Sequence, residues 1–496
     1  MNPRLVLRTT GMLLMLEALA MAACGLFALL DVVDGVGRAA GELFMAAGMT
    51  AGVALAMIAA GGGGRFKNRL TRRDAVLIVG LGWVLSGLFG ALPFLLCPPH
   101  LGFSEALFES VSGLTTTGGT VIPDLTLWPR GVLLWRAVTN WLGGIGILVL
   151  FVMVLSRMGV GGKSLFMRES SFRGGESGAA RVKDNSLMLL KVYLLLTAAC
   201  AAGLRAMGLS WFNAVTHAFA AIATGGFSPH NASVGHYSKW GNGVFIEVWL
   251  GVFMLLSGVN FVVYVLIAKK RWERLREHAD ALWFLALALG SALLIAAGIA
   301  ATGGQPFPEA LRGSFFVVAS AASCCGFSTA DYDQWPAFGK IVLAALMIIG
   351  GCAGSTAGGI KVGRFVVFLK SSVHEVIRSF RPNQVFRLRM GGRTLDDESR
   401  REVMVFIAMF GFIIVGSTVV VALLENGTGI TMETAVGSVL ACISNVGPGF
   451  DAVGPTENFS QLRAPTQVFL SWVMILGRLE LFALLVLFVP GAWRKY

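Results

Sequence analysis

Four segments, Thr115-Thr116-Thr117-Gly118-Gly119-Thr120, Ala223-Thr224-Gly225-Gly226-Phe227-Ser228, Ser323-Cys324-Cys325-Gly326-Phe327-Ser328 and Ser444-Asn445-Val446-Gly447-Pro448-Gly449, can be written beneath one another so that Gly118, Gly226, Gly326 and Gly447 align. These glycines are 108, 100 and 121 residues apart. A short apolar segment precedes each turn: 104–114, 211–223, 307–323 and 431–443. One glycine-rich loop between apolar helices carries little meaning. Four in the same place in four like-ordered units make an internal repeat, and a repeat decides the architecture before any single motif does.

The surrounding chain sets the solvent. Of 496 residues, 55% are hydrophobic and 14% are charged, against about 25% charged in soluble domains. Mean hydropathy is +0.72. This describes a polytopic membrane protein. Glycine supplies 63 residues, mostly inside apolar segments, where close backbone approach is its use. The 7 cysteines lie in or beside apolar stretches without a C-x-x-C pair, so neither a zinc site nor a disulfide framework is indicated.

Ten stretches reach the length of about 20 residues that crosses a bilayer: 11–30, 41–60, 75–97, 129–156, 187–208, 244–268, 281–301, 338–370, 404–424 and 465–489. The first is read as a span rather than a signal peptide, because Glu17 interrupts it and no small-residue cleavage site follows. With both termini cytoplasmic, 31 of the 40 Lys and Arg fall on inside segments, as the positive-inside rule requires. The net charge of +12 is then topology rather than a nucleic-acid footprint.

Each unit therefore reads span, short helix, glycine turn, span, with two extra spans in front. The expected fold is an all-α polytopic membrane protein of four pseudo-symmetric repeats around a central pore. The divisions are 1–70 for the two N-terminal spans, 71–160 for repeat one, 161–277 for a cytoplasmic loop and repeat two, 278–370 for repeat three, and 371–496 for a cytoplasmic loop and repeat four. A short re-entrant helix followed by irregular backbone is tolerated at membrane depth only where it lines water or is buried in protein. Main-chain carbonyls facing a common axis replace a cation's hydration shell. Glycine lets consecutive carbonyls point the same way, and the C-terminal ends of the short helices add partial negative charge. The turns contain no Asp or Glu. Asp124, Asp331 and Asp451 follow them closely and are either an acidic outer mouth or ordinary turn residues.

These turns, with Leu114 before the first, resemble the filter segments of the Trk/Ktr/HKT superfamily of potassium uptake proteins. So do Trp141-Leu142-Gly143-Gly144-Ile145-Gly146 and Gly477-Arg478-Leu479-Glu480. The likeness covers essentially the whole chain, and the extra N-terminal spans point to the TrkH branch. The resemblance implies a potassium-conducting subunit of a bacterial cytoplasmic (inner) membrane. It implies a homodimer with a pore in each protomer, potassium as transported ion, no cofactor bound by this chain, and a cytoplasmic ring of nucleotide-binding regulatory subunits. The ion-binding residues it implies are Thr116, Thr117 and Gly118; Thr224, Gly225 and Gly226; Cys324, Cys325 and Gly326; and Asn445, Val446 and Gly447. Repeats three and four depart from the Thr of the first two, which carbonyl coordination tolerates and hydroxyl coordination does not.

Two features lie below the filter. Residues 350–359 read Gly-Gly-Cys-Ala-Gly-Ser-Thr-Ala-Gly-Gly, and each helix-interior glycine costs up to about 1 kcal/mol relative to Ala, so the eighth span is broken there. In the family this segment is an intramembrane loop that obstructs conduction and moves on gating. Its residues are Gly350, Gly351, Gly354, Ser355, Thr356, Gly358 and Gly359, with Lys361 beyond. The competing reading is a small-residue packing face. Arg478 sits near mid-membrane, where a charge costs about 2.5–3.5 kcal/mol on insertion scales. It faces the pore as a positive barrier, the role the family also gives it, or pairs with Glu247 or Glu17. Arg136 and Asn140 are read as packing or supporting groups. The basic loops 157–191 and 361–403 anchor topology and offer a docking surface.

Several motifs fail. Gly161-Gly162-Lys163-Ser164 lacks the glycine a phosphate loop needs at 157, which is Arg, and Gly80-x-Gly82 meets Leu85 inside a span. The six histidines show no H-E-x-x-H, and Asn231-Ala-Ser233 fits a glycosylation acceptor without deciding anything. Gated potassium conduction is the leading function. Coupled K+/Na+ or K+/H+ symport is the alternative within transport, and a membrane enzyme lacks the convergent catalytic groups it needs.

Overall fold

The computed structural model describes residues 2–31, 33, 39–62, 72–155, 178–381, 388–391 and 393–481. Most of the loop 61–74, the segment carrying Gly161-Gly162-Lys163-Ser164, the end of the last expected span and the tail 490–496 lie outside them.

Helices α1 (Pro3–Leu30) and α2 (Ala40–Gly61) come first. Pro3 opens α1, and the Asn2 side chain accepts from the Leu5 N–H, satisfying one otherwise orphan donor. Repeat one follows as α3 (Arg72–Gly90), α4 (Leu92–Leu96), α5 (Phe103–Leu114) and α6 (Arg130–Leu155). Repeat two is α7 (Gly178–Ala206), α8 (Trp211–Ala223), α9 (Gly243–Gly258) and α10 (Phe261–Ala268), with the short α11 (Trp272–Leu275) after it. Repeat three is α12 (Ala279–Ala301), α13 (Phe307–Ala322), α14 (Ala337–Ile349) and α15 (Val362–Phe380). A small antiparallel hairpin, β1 (Arg389–Met390) and β2 (Arg393–Thr394), pairs Met390 with Arg393. Repeat four is α16 (Asp397–Leu424), α17 (Met432–Ile443) and α18 (Ala464–Arg478).

The four short helices expected from sequence are α5, α8, α13 and α17. Three have a side-chain device at the N-terminus: Glu105 accepts from the Gly102 N–H, Ser210 from Asn213, and Thr431 from Thr434. In α13 a proline stands at the first turn instead.

Two expected spans are not single straight helices. The stretch 244–268 is bent: α9 and α10 meet at 93° across Val259-Asn260. The Asn260 side chain accepts from the Val262 N–H at 2.9 Å and starts a new helix, as an N-cap does. The stretch 75–97 keeps its expected span as Arg73–Leu96, with the helix interrupted at Ala91 between α3 and α4. The expected break in the eighth span is present and runs from Gly350 to Lys361. Among the described residues six helices are long and apolar enough to cross a membrane, or seven with the bent pair counted as one. The divided α14 has only 13 residues.

Burial follows the repeats. One cluster joins repeats two and three through Ile222, Met254, Phe316 and Met347. Another brings Phe108 and Val111 of repeat one against Val439, Leu470 and Met474 of repeat four. A third packs α1 and α2 on repeat one through Met21, Leu43 and Trp135. The second cluster closes the chain's last repeat onto its first.

Candidate functional site

Each short helix ends the same way. Thr116, Thr224, Cys324 and Asn445 adopt φ of 53°, 54°, 57° and 52°, a left-handed conformation that non-glycine residues seldom take. The next residue donates its N–H five positions back: Thr117 to Ser112 O at 2.8 Å, Gly225 to Ala220 O at 2.8 Å, Cys325 to Ser320 O at 2.8 Å and Val446 to Ala441 O at 2.9 Å. Gly118, Gly226, Gly326 and Gly447 then take φ of 81°, 69°, 92° and 103°. The four turns share one backbone path despite unlike side chains.

They also meet. A Cβ on Gly118 would stand 2.1 Å from Gly225 O, one on Gly226 2.3 Å from Cys325 O, one on Gly326 2.0 Å from Val446 O, and one on Gly447 2.8 Å from Thr117 O. The contacts run from the first turn to the second, third and fourth, and back to the first. Glycine is required twice over, by conformation and by the neighbouring carbonyl.

Supporting groups hold the turns from behind. Arg136, in α6, pairs with Glu109 of α5 at 2.7 Å and donates to Ser228 O at 3.0 Å. Its guanidinium also lies 4.1 Å from the Phe227 ring centroid. Glu109 accepts from the Val121 N–H and the Thr120 hydroxyl. One buried ion pair thus ties the outer ends of the first two turns. The Asn140 amide presses on Gly225, where a Cβ would lie 2.4 Å from its Cγ. Asn445 Nδ2 donates to Thr117 Oγ1 at 2.9 Å and to Met474 O at 3.0 Å, bridging repeats four and one. Sequence reading missed this side-chain bridge, and it missed His217, whose Nε2 lies 3.2 Å from Ser228 Oγ while Nδ1 lies 2.7 Å from Asn213 O. A polar residue on an apolar short helix was the available signal.

Beneath the turns, the residues from Gly350 to Lys361 thread the interior. A Cβ on Gly358 would stand 2.0 Å from Ser444 O, so the loop touches the base of the fourth turn. Arg478 Nη1 donates to Thr356 O at 2.7 Å, and buried Lys361 donates to Ala357 O. Successive loop carbonyls are therefore held by two buried cations. Arg364, in the first turn of α15, pairs with Glu480 at 2.6 Å. The carboxylates considered for Arg478 are elsewhere: Glu247 pairs with Arg312 at 2.6 Å, and Glu17 lies beside Gly90 and Ser110. Nor is the loop a plain packing face, since Cys352 N–H donates to Gly258 O at 2.8 Å and Phe261 N–H to Gly354 O at 3.1 Å.

The aspartates after the turns each accept local hydrogen bonds. Asp124 accepts from Thr126 N and Asn231 Nδ2, Asp331 from Asp333 N, and Asp451 from the Thr431 and Thr434 hydroxyls. Asn231 hydrogen bonding holds the Asp124 carboxyl below its ordinary range, and the two threonines do so for Asp451. Burial instead pushes Asp333 up to about 6. Among the described residues no group of three or more His, Cys, Asp or Glu is placed to hold a metal ion.

The chain is similar to known proteins over its whole length. The model of the family described as "TrkH: Cation transport protein" matches residues 49–494. The Trk system potassium uptake protein TrkH of Halomonas elongata is 34% identical over the whole of both chains, and its Escherichia coli namesake is also 34% identical at full coverage. The crystal structure of the potassium transporter TrkH from Vibrio parahaemolyticus aligns over all of both chains with a TM-score of 0.88 at 30% identity. A predominantly helical membrane scaffold, four glycine turns closed on one another and full-length likeness agree: this chain belongs to the TrkH family of cation transport proteins, and is a transporter rather than an enzyme.

Proposed function

We propose that this chain carries potassium across the bacterial cytoplasmic membrane through the ring of glycine turns. The observation that carries the reading is the cyclic succession of main-chain carbonyls against glycines across all four repeats. Oxygens at Thr116, Thr117, Thr224, Gly225, Cys324, Cys325, Asn445 and Val446, with the glycines that follow, replace the water of a monovalent cation. The unlike side chains matter little, because the ligand is backbone. The four short helices add the negative ends of their dipoles. Relatives named as potassium uptake proteins favour potassium as the ion.

The loop from Gly350 to Lys361 is the gate in this reading, and Arg478 both latches it and repels a cation beneath the filter. Both termini are cytoplasmic, the protomers pair as a homodimer, and a separate cytoplasmic nucleotide-binding subunit controls the loop. The name "Trk system" in the relatives supports the last point by implying further components. Expression in a bacterium stripped of its own potassium uptake tests the function. Growth at low external potassium, with rubidium uptake, is expected; neither growth nor uptake from correctly inserted protein contradicts it.

A further inference from the structure

The two broken inner helices are complementary. A helix that stops and restarts leaves unsatisfied carbonyls at one end and N–H groups at the other, and at membrane depth these need protein partners. The break between α9 and α10 exposes Gly258 O and the Phe261 N–H. Each is taken by the glycine-rich segment of repeat three: Cys352 N–H donates to Gly258 O at 2.8 Å, and Phe261 N–H donates to Gly354 O at 3.1 Å. Thr356 Oγ1 adds bonds to Ile222 O at 3.0 Å and Ser257 O at 3.4 Å. Asn260 stands between. It is buried, it restarts α10 by accepting from Val262 N–H at 2.9 Å, and its Oδ1 would lie 3.0 Å from a Cβ on Gly354.

We infer that the break at Val259-Asn260 is the seat of the intramembrane loop, and that Asn260 is the positioning residue that keeps this seat open. Were α9 and α10 one straight helix, Phe261 N–H would bond Ser257 O and Gly258 O would be taken by Val262 N–H. The loop would then lose both main-chain partners. The loop's closed position and the 93° bend thus require each other. A conducting position of the loop must leave Gly258 O and Phe261 N–H to water or to a straightened helix. This rests on the reading that the loop obstructs conduction.

The test is radiotracer rubidium flux into proteoliposomes containing the chain without any cytoplasmic partner. Asn260→Ala removes the cap that favours the break. It should raise basal flux roughly five-fold, equivalent to about 1 kcal/mol at 1.4 kcal/mol per tenfold. Asn260→Ser keeps a capping oxygen and should return flux towards wild type, which a merely structural role would not produce. Gly354→Ala presses on the same seat from the loop side and should also raise flux, so the inference stays testable if Asn260→Ala fails to fold. Arg478→Ala serves as the reference for the gate itself. Raised flux in Arg478→Ala with unchanged flux in both Asn260→Ala and Gly354→Ala overturns the seat alone. Unchanged flux in Arg478→Ala overturns the gate reading on which it rests.

Discussion

Asp333 illustrates how far a single side chain departs from what its sequence suggests. It follows Asp331 in a stretch that reads as solvated turn, yet burial raises its carboxyl to about 6, while Oδ2 accepts from the Asp451 N–H at 3.1 Å. The ionised form is disfavoured by the fold. Its contribution is therefore most favourable below the ordinary carboxyl range and is lost as pH rises through about 6. Asp333→Asn should raise the thermal midpoint at pH 8, by an amount equivalent to about 1 kcal/mol after solvent screening, and leave it unchanged near pH 4. A gain of equal size at both pH values would show that charge is not the cause. The glycine turns, by contrast, were legible one by one. Glycine repeated at a fixed offset from an apolar segment has few uses, and the left-handed residue two places before each glycine then follows from the helix end. Asn445 was harder to read, because its amide works across to Thr117, 328 positions away in the chain.

Helices and breaks were legible wherever local composition decided them. Five glycines in ten residues cannot sustain a helix, and the loop after Gly350 follows. The bend at Val259-Asn260 was hidden in a run of apolar residues, with one asparagine as its sign. What makes it a break is partnership with a segment about 95 residues further on, which no window of sequence contains. The ion pair joining α5 and α6 is similar: Glu109 and Arg136 are ordinary to read separately. Paired at 2.7 Å with both side chains buried, they hold Ser228, Thr120 and Val121 together behind two turns. Removing one partner of a buried pair costs about 3–5 kcal/mol, because the other charge is stranded. Glu109→Gln should lower the thermal midpoint in detergent accordingly, with a weakened rubidium preference over sodium. Retention of both wild-type stability and preference would remove this pair from any filter role.

Taken together, the chain is four divergent hairpins held at one centre by main-chain contact. Repeats two and three share one apolar cluster, and repeats four and one share another. Side chains differ at the centre, from Thr to Cys to Asn, while the shared feature is backbone. The number of crossings is less direct to read, since divided helices such as α14 and the bent α9–α10 pair escape any rule based on length.

Rubidium uptake into proteoliposomes, with sodium as competitor, tests the ring most directly when Gly118, Gly226, Gly326 and Gly447 are replaced by Ala one at a time. Each added Cβ would stand within 2.8 Å of the neighbouring turn's carbonyl oxygen. Every one of the four folded variants is therefore expected to lose at least about tenfold in uptake, as a loss of roughly 1.4 kcal/mol of stabilisation at the carbonyl ring would give. Uptake and sodium discrimination unchanged in all four would contradict the account.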